Sequence, residues 1–217
     1  MKKNISKWKN KATNRMAKTE WPWTNMITLI KKFNKKKKTK ILEIGCGSGC
    51  NIPFYLKEKK NYTYFAIDND KIWINYLKKK YPFISKNLFC GNFLNYKFKN
   101  KFDIILDRCS MTHNSEENIK IGLKNLKRFL KKNGLYVGLD WWSFKHSDSK
   151  KRDYYEQKSF IKGDFAGVSG VFFASEKKMM EFFKSWKVLH ISEKVIKQKR
   201  QNKKKTIASL DIVAQNS

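Results

Sequence analysis

No uninterrupted apolar run in these 217 residues approaches the roughly 20 needed to cross a bilayer, and Met1-Lys2-Lys3-Asn4 leads into a polar segment rather than a signal-peptide core. No integral membrane association is expected, and the expected location is cytoplasmic. Cysteine is sparse: Cys46, Cys50, Cys90 and Cys109 form neither a short-spaced pair of pairs nor a dense pattern. They read as thiols, without a disulfide framework or a structural zinc site. Acidic residues number 18 against 49 basic ones, a formal net charge of +31. That excess makes an anionic substrate, a nucleic acid or a membrane surface worth weighing. Arginine supplies only Arg15, Arg108, Arg128, Arg152 and Arg200. Lysine lacks the planar fork that reads base edges, which weakens sequence-specific nucleic-acid recognition. The joint abundance of Lys, Asn and Ile also follows from compositional drift, which would leave most lysines as a solvated face.

What is present argues for one folded domain. The chain is 41% apolar and 15% aromatic, enough to offset ordering entropy, and its length fits a single mid-sized core. Residues 1–38 read as an N-terminal arm and lid with Trp8, Trp21 and Trp23, ending in a lysine run. Residues 39–217 read as the main domain. Lys40–Ile44 is an apolar strand, followed by Gly45-Cys46-Gly47-Ser48-Gly49 and a helix over 51–60 that tolerates Pro53 only in its first turn. Tyr62–Asp68 is a second strand, and Asp70 can cap a helix carrying Ile72, Trp73, Tyr76 and Leu77. Asn87–Cys90, Phe102–Asp107 and Leu135–Asp140 follow as strands, with a helix over Ser115–Leu130. Strands alternating with helices predict a parallel sheet covered on both faces. Residues 141–174 form an aromatic-rich insertion on the substrate side, after which Met179, Met180, Phe182 and Phe183 give a helix over 175–185. Trp186–Ile196 and Thr206–Ala214 flank a basic turn at 197–205 as a hairpin.

The glycine turn lies between a strand and a helix, where a chain can bend sharply and bring helix N–H groups close to a ligand. Its spacing is Gly-x-Gly-x-Gly with Cys50 following, so it lacks the third glycine of a dinucleotide fingerprint and the Gly-Lys-Ser/Thr ending of an NTPase loop. Asp68 lies 23 residues beyond Gly45 at a strand end, where a carboxylate can accept both hydroxyls of a ribose. Glu43 is available either to attract an amino group or to organise the loop.

Taken together, Glu43-Ile44-Gly45-Cys46-Gly47-Ser48-Gly49 and Ala66-Ile67-Asp68 make the chain resemble the class I S-adenosyl-L-methionine-dependent methyltransferases. Gly91-Asn92-Phe93 is similar to that family's adenine-binding turn, with Asn92 where Asp is usual. Residues 39–140 carry the resemblance most strongly, and 175–214 follow it by topology. It implies an α/β, Rossmann-like sheet of seven mostly parallel strands with the last antiparallel and helices on both faces. The implied cofactor is S-adenosyl-L-methionine, giving S-adenosyl-L-homocysteine as product. The implied cofactor residues are Glu43, Gly45, Cys46, Gly47, Gly49, Asp68, Asn69, Asn92, Phe93, Asp107 and Arg108. Asp107-Arg108-Cys109 would pass the methionine end, and Arg108 would pack over the cleft, pair with a substrate acid or form a structural ion pair.

The acceptor is less legible. The chain has no Asn/Asp-Pro-Pro-aromatic tetrapeptide, as in the methyltransferases of planar amino groups, and no Pro-Cys nucleophile. Asp107–Asn114 and Asp140–Ser143 are similar to small-molecule and glycan-modifying methyltransferases. On that likeness His113 or Asp140 is the candidate catalytic group, and His113, Trp141 and Trp142 are the candidate substrate contacts. A hydroxyl acceptor must lose its proton, whereas a neutral amine needs less help. No metal is expected. The reading is methyl transfer to a hydroxyl or amine of a small molecule or saccharide, with anionic ones suited to the charge. The alternative is an RNA- or protein-directed methyltransferase, so RNA is retained as a partner.

Overall fold

The computed structural model describes residues 21–157, 163–165, 168, 170–200 and 203–217. Trp8 and most of the N-terminal arm therefore lie outside the described residues, as does Phe160 of the insertion. Five parallel strands form the first part of the sheet: β1 (Thr39–Ile44), β2 (Tyr62–Asp68), β3 (Leu88–Cys90), β4 (Phe102–Arg108) and β5 (Leu130–Trp142). A short antiparallel pair follows, β6 (Tyr154–Glu156) with β7 (Val171–Phe173). The main sheet is completed by β8 (Lys187–Arg200) and β9 (Lys203–Gln215), giving the order β3-β2-β1-β4-β5-β9-β8. The final strand, β9, runs antiparallel to both neighbours, in agreement with the expected topology.

Alternation along the strands builds two cores. Ile41, Ile104 and Leu106 point to one face, where Met26 and Ile30 of α1 (Thr24–Phe33), Tyr55 of α2 (Ile52–Lys57), and Ile74 and Leu77 of α3 (Lys71–Lys80) cover them. Leu42, Ile44 and Ile105 point to the other, under Ile119, Leu123 and Leu126 of α4 (Glu116–Phe129) and Met179 and Phe182 of α5 (Glu176–Phe182). Local signals set the helix starts: Asp70 accepts the Ile72 amide at 2.8 Å, Ser115 accepts that of Asn118 at 3.3 Å, and Pro53 occupies the first turn of α2.

Three expectations shift. The inner face of α3 is Ile74 and Leu77, while Ile72 and Tyr76 are exposed, because the three-residue step selects one stripe. Met180 likewise faces outward. The basic turn expected over 197–205 is mostly strand, since the ladder continues to Arg200 opposite Lys203. Main-chain pairing does not require a core beneath it, and lysine stems tolerate an exposed ribbon.

Candidate active site

The strand order reverses between β1 and β4, whose helices lie on opposite faces, and such a switch point opens a crevice at the carboxyl ends of the strands. Ile44, Asp68, Cys90, Arg108 and the Asp140–Trp142 end of β5 all lie along that edge. The glycine turn crosses it. Gly45 has φ +63° and donates its N–H to Ile67 O at 2.8 Å, and a Cβ there would overlap the Ser110 hydroxyl. Gly47 has φ +51° with nothing within 4 Å of an added Cβ, so its surface is open to an approaching ligand. Beside it, Asp68 Oδ2 accepts the Gly47 amide and Oδ1 the Asp70 amide, both at 2.8 Å. Burial raises the Asp68 pKa above its ordinary value against the pull of these amides. The β3 end supplies Asn92, exposed and accepting the Leu94 amide at 3.0 Å, and the half-buried Phe93. Asn69 is exposed just beyond Asp68. These residues lie together along one edge of the sheet, and their open glycine surface and carboxylate suit a nucleoside.

Other candidates face inward. Glu43 is only 4% exposed, taking Asn51 Nδ2 at 2.9 Å and the Tyr64 hydroxyl at 2.6 Å. Burial pushes its pKa up to about 7 despite these donors. Asp107 is fully buried and accepts the Ser110 and Met111 amides and the Tyr136 hydroxyl, with burial raising it to about 6. Its side chain organises the 3-10 turn Met111–His113, leaving only its backbone near the crevice. Cys46 is buried, and burial pushes the Cys109 thiol up to about 12, which suits a structural thiol.

Toward β5 the candidates separate. Asp140 adopts φ +53° where the β5–β9 register shifts, and this turns its carboxylate onto Arg108 Nε at 2.9 Å and Lys194 Nζ at 2.5 Å. Burial raises its pKa, but Lys194 and Arg108 outweigh that and hold it below its ordinary value, so Asp140 is poised as an ion-pair partner rather than a base. Trp141 departs from the expected substrate contact: it is 0% exposed and packs on Phe182 and Phe183, since alternation turns it beneath the sheet while Trp142 faces the other way. Trp142 instead joins the insertion, packing on His146 and Phe165.

The described part of that insertion sits against the end of β4. Thr112 Oγ1 donates to Phe172 O at 2.8 Å, and His113 Nδ1 lies 2.9 Å from Gly170 O. A carbonyl only accepts, so Nδ1 carries the proton and the neutral ring keeps its lone pair on Nε2. Burial lowers the His113 pKa to about 4. Within the insertion His146, Asp148 and Asp164 converge. His146 Nδ1 accepts the Asp148 amide at 3.1 Å, which leaves Nε2 facing Asp164 at 3.3 Å, an arrangement that pins the loop. Sequence reasoning missed three contributors. Trp23 appeared only as an arm aromatic, Lys194 as one lysine among many, and Ser110 gains significance only from its contact beneath Gly45.

Comparison with known proteins agrees with this fold. Residues 41–134 match the family described as methyltransferase domain. No curated protein matches the chain. Among solved structures, TehB from Haemophilus influenzae superposes with a TM-score of 0.63 at 16% identity, over 90% of this chain and 63% of that one. The chain thus spans less than two thirds of that protein's chain. An S-adenosylmethionine-dependent methyltransferase from Methanosarcina mazei gives 0.63 at 16% identity, over 90% of this chain and 98% of that one. The 1,6-didemethyltoxoflavin-N1-methyltransferase of Burkholderia thailandensis, solved with 1,6-didemethyltoxoflavin and S-adenosylhomocysteine, gives 0.67 at 11% identity, over 97% and 84%. Residues 41–134 thus match a methyltransferase domain, and the chain as a whole has the Rossmann-like fold of solved S-adenosyl-L-methionine-dependent methyltransferases.

Proposed function

We propose that this protein transfers a methyl group from S-adenosyl-L-methionine to a hydroxyl or amine of a small molecule, a saccharide included. The observation carrying this reading is the pairing of the open Gly47 surface with the Asp68 carboxylate at the topological switch point. Asp68 is assigned the ribose, Asn92 and Phe93 the adenine, and Gly47 and Gly49 the close passage of the donor. When bound, the donor supplies an electrophilic methyl on a sulfonium. Glu43, Cys46 and Asp107 support this from below by holding the turn. Asn69 adds a polar edge beside the ribose position.

On the acceptor side, His113 is assigned to the acceptor proton and Trp142 to the wall between crevice and insertion. With a pKa near 4, His113 is neutral at physiological pH. An imidazole so held orients a hydroxyl and receives its proton only as that proton is released. Asp140 positions Arg108. Residues 141–174 serve as the cover that excludes water while the reacting atoms are aligned. A small acceptor is favoured because β7 is bonded directly to the turn after β4, leaving the insertion against the crevice. The toxoflavin-precursor enzyme, which acts on a small molecule, shares the fold, in keeping with this choice. No helix among the described residues is long and apolar enough to cross a membrane.

The test is a screen of metabolites, sugars, RNA and protein with a methyl-labelled donor. Saturable labelling of a small molecule at one atom supports the reading, and site-specific labelling of RNA or protein instead overturns it.

A further inference from the structure

A cavity of about 630 Å³ lies between α4, the end of α5 and the start of β8, on the face of the sheet away from α3. α4 ends at Phe129, immediately before β5 opens, and β8 opens at Lys187 opposite Gln215. The cavity therefore sits toward the amino ends of the parallel strands, away from the crevice. Its floor is apolar, formed by the buried Leu123, Phe182 and Trp186. Around the floor stand the cations Lys120, Lys124, Lys127, Arg128 and Lys184, against the single acid Glu181. Lys120 is held by Glu116 at 2.7 Å, and Lys127 by Ser185 O and by the Trp186 ring, 5.3 Å from its centroid. Glu181 is shared between Lys178 at 2.8 Å and Lys120 at 3.8 Å. Lys124, Arg128 and Lys184 are exposed and have no ion-pair partner among the described residues. Lys124 and Arg128 also stand four residues apart on one helix face, a like-charge pairing that weakens a helix. Packing does not call for it, since the buried stripe of α4 is Ile119, Leu123 and Leu126.

We propose that this cavity binds a small organic phosphate with a flat apolar body, Lys124, Arg128 and Lys184 taking the phosphate while Trp186 and Phe182 take the body. The site is separate from the crevice and does not depend on how the crevice is read. A phosphate monoester brings nearly two negative charges and three acceptor oxygens, which answers three uncommitted cations better than a singly charged carboxylate does. Arg128 can offer it two parallel N–H donors, with the lysines as point charges. Cations alone would draw any anion. The cavity adds a volume within the range of small-ligand sites and an aromatic wall that rewards an apolar body over a bare ion.

Titration calorimetry on the full chain, at about 150 mM salt to screen diffuse attraction, tests this with 1-naphthyl phosphate as the probe. Its two halves, 1-naphthol and inorganic phosphate, are titrated beside it. The probe should saturate a single site and bind about tenfold or more tighter than either half. Lys124→Gln combined with Arg128→Gln should weaken it by about tenfold or more, as befits charge-assisted bonds, and Lys184→Gln by less. All three positions are exposed, so the fold persists. Lys78→Gln combined with Lys79→Gln removes the same two charges from the exposed end of α3 and should leave binding unchanged. S-adenosylhomocysteine should not compete with the probe. Absence of saturable binding, equal loss in the two double variants, or binding of either half as tight as the probe overturns the inference. Competition by S-adenosylhomocysteine would place the probe in the crevice and overturns it as well.

Discussion

The Asp68 carboxylate accepts the Gly47 amide at 2.8 Å, so the residue assigned to the ribose also holds the turn across which the donor must pass. Asp68→Ala removes both functions. S-adenosylhomocysteine affinity should fall by about 1–3 kcal/mol, the worth of charged hydrogen bonds, while the fold persists. Titration calorimetry measures it, and unchanged affinity in a folded variant would refute the ribose assignment.

Gly45 and Gly47 share a left-handed backbone but differ in surroundings. Gly45→Ala drives a methyl into Ser110 and should cost about 2–4 kcal/mol of stability, combining backbone strain with overpacking. Gly47→Ala meets open space and should cost about 1–2 kcal/mol from strain alone, yet weaken S-adenosylhomocysteine binding more than its stability loss explains. Chemical denaturation beside calorimetry compares the two. Normal binding by Gly47→Ala would mean that no ligand passes over this glycine.

Glu43 gives a pH-dependent signature. Its native pKa of about 7 lies above the ordinary 4.5, so between those values the native state holds a proton that the unfolded chain releases. Its contribution to stability therefore falls as pH rises through that window. Glu43→Gln lacks this loss, so relative to wild type it should gain on the order of 3 kcal/mol between acid and mildly alkaline pH. His113, with its lowered pKa, acts in the opposite direction in both proteins and cancels in the difference. Parallel stability profiles from urea unfolding would show that Glu43 is ionised in the native state.

His113→Gln keeps an amide near Gly170 while removing the imidazole. If His113 receives the acceptor proton, the single-turnover methyl-transfer rate should drop by about ten- to ten-thousandfold with donor affinity intact. Because its pKa is about 4, the wild-type rate should show no His113 inflection near 6.5. An unaltered rate and pH profile in the variant would leave orientation alone as the account of catalysis.

Closure over the crevice is open to hydrogen exchange. Amides of 141–174 should slow when S-adenosylhomocysteine and the identified acceptor bind together, since a cover is ordered by what it covers. Unchanged protection in a demonstrated ternary complex would make the insertion a bystander.

Local interactions made the crevice legible in the sequence. A strand, a glycine turn and Asp68 at the next strand end are set by nearest-neighbour geometry, as are the caps at Asp70 and Ser115, so the alternation of strands and helices followed from pattern and the sheet order from the resemblance those residues carry. Tertiary structure decided which candidates face the crevice. Trp141 and Trp142 are adjacent and chemically identical, and only the register of β5 beside β9 sends the first into the core and the second into the insertion. Asp140 resembled a base until Lys194, 54 residues away, was folded against it, and Arg108 met Trp23 only once α1 had docked. Long-range charge pairing and burial depend on contacts that no local pattern encodes, and these contacts set the protonation of His113 and Asp140 and the orientation of Arg108.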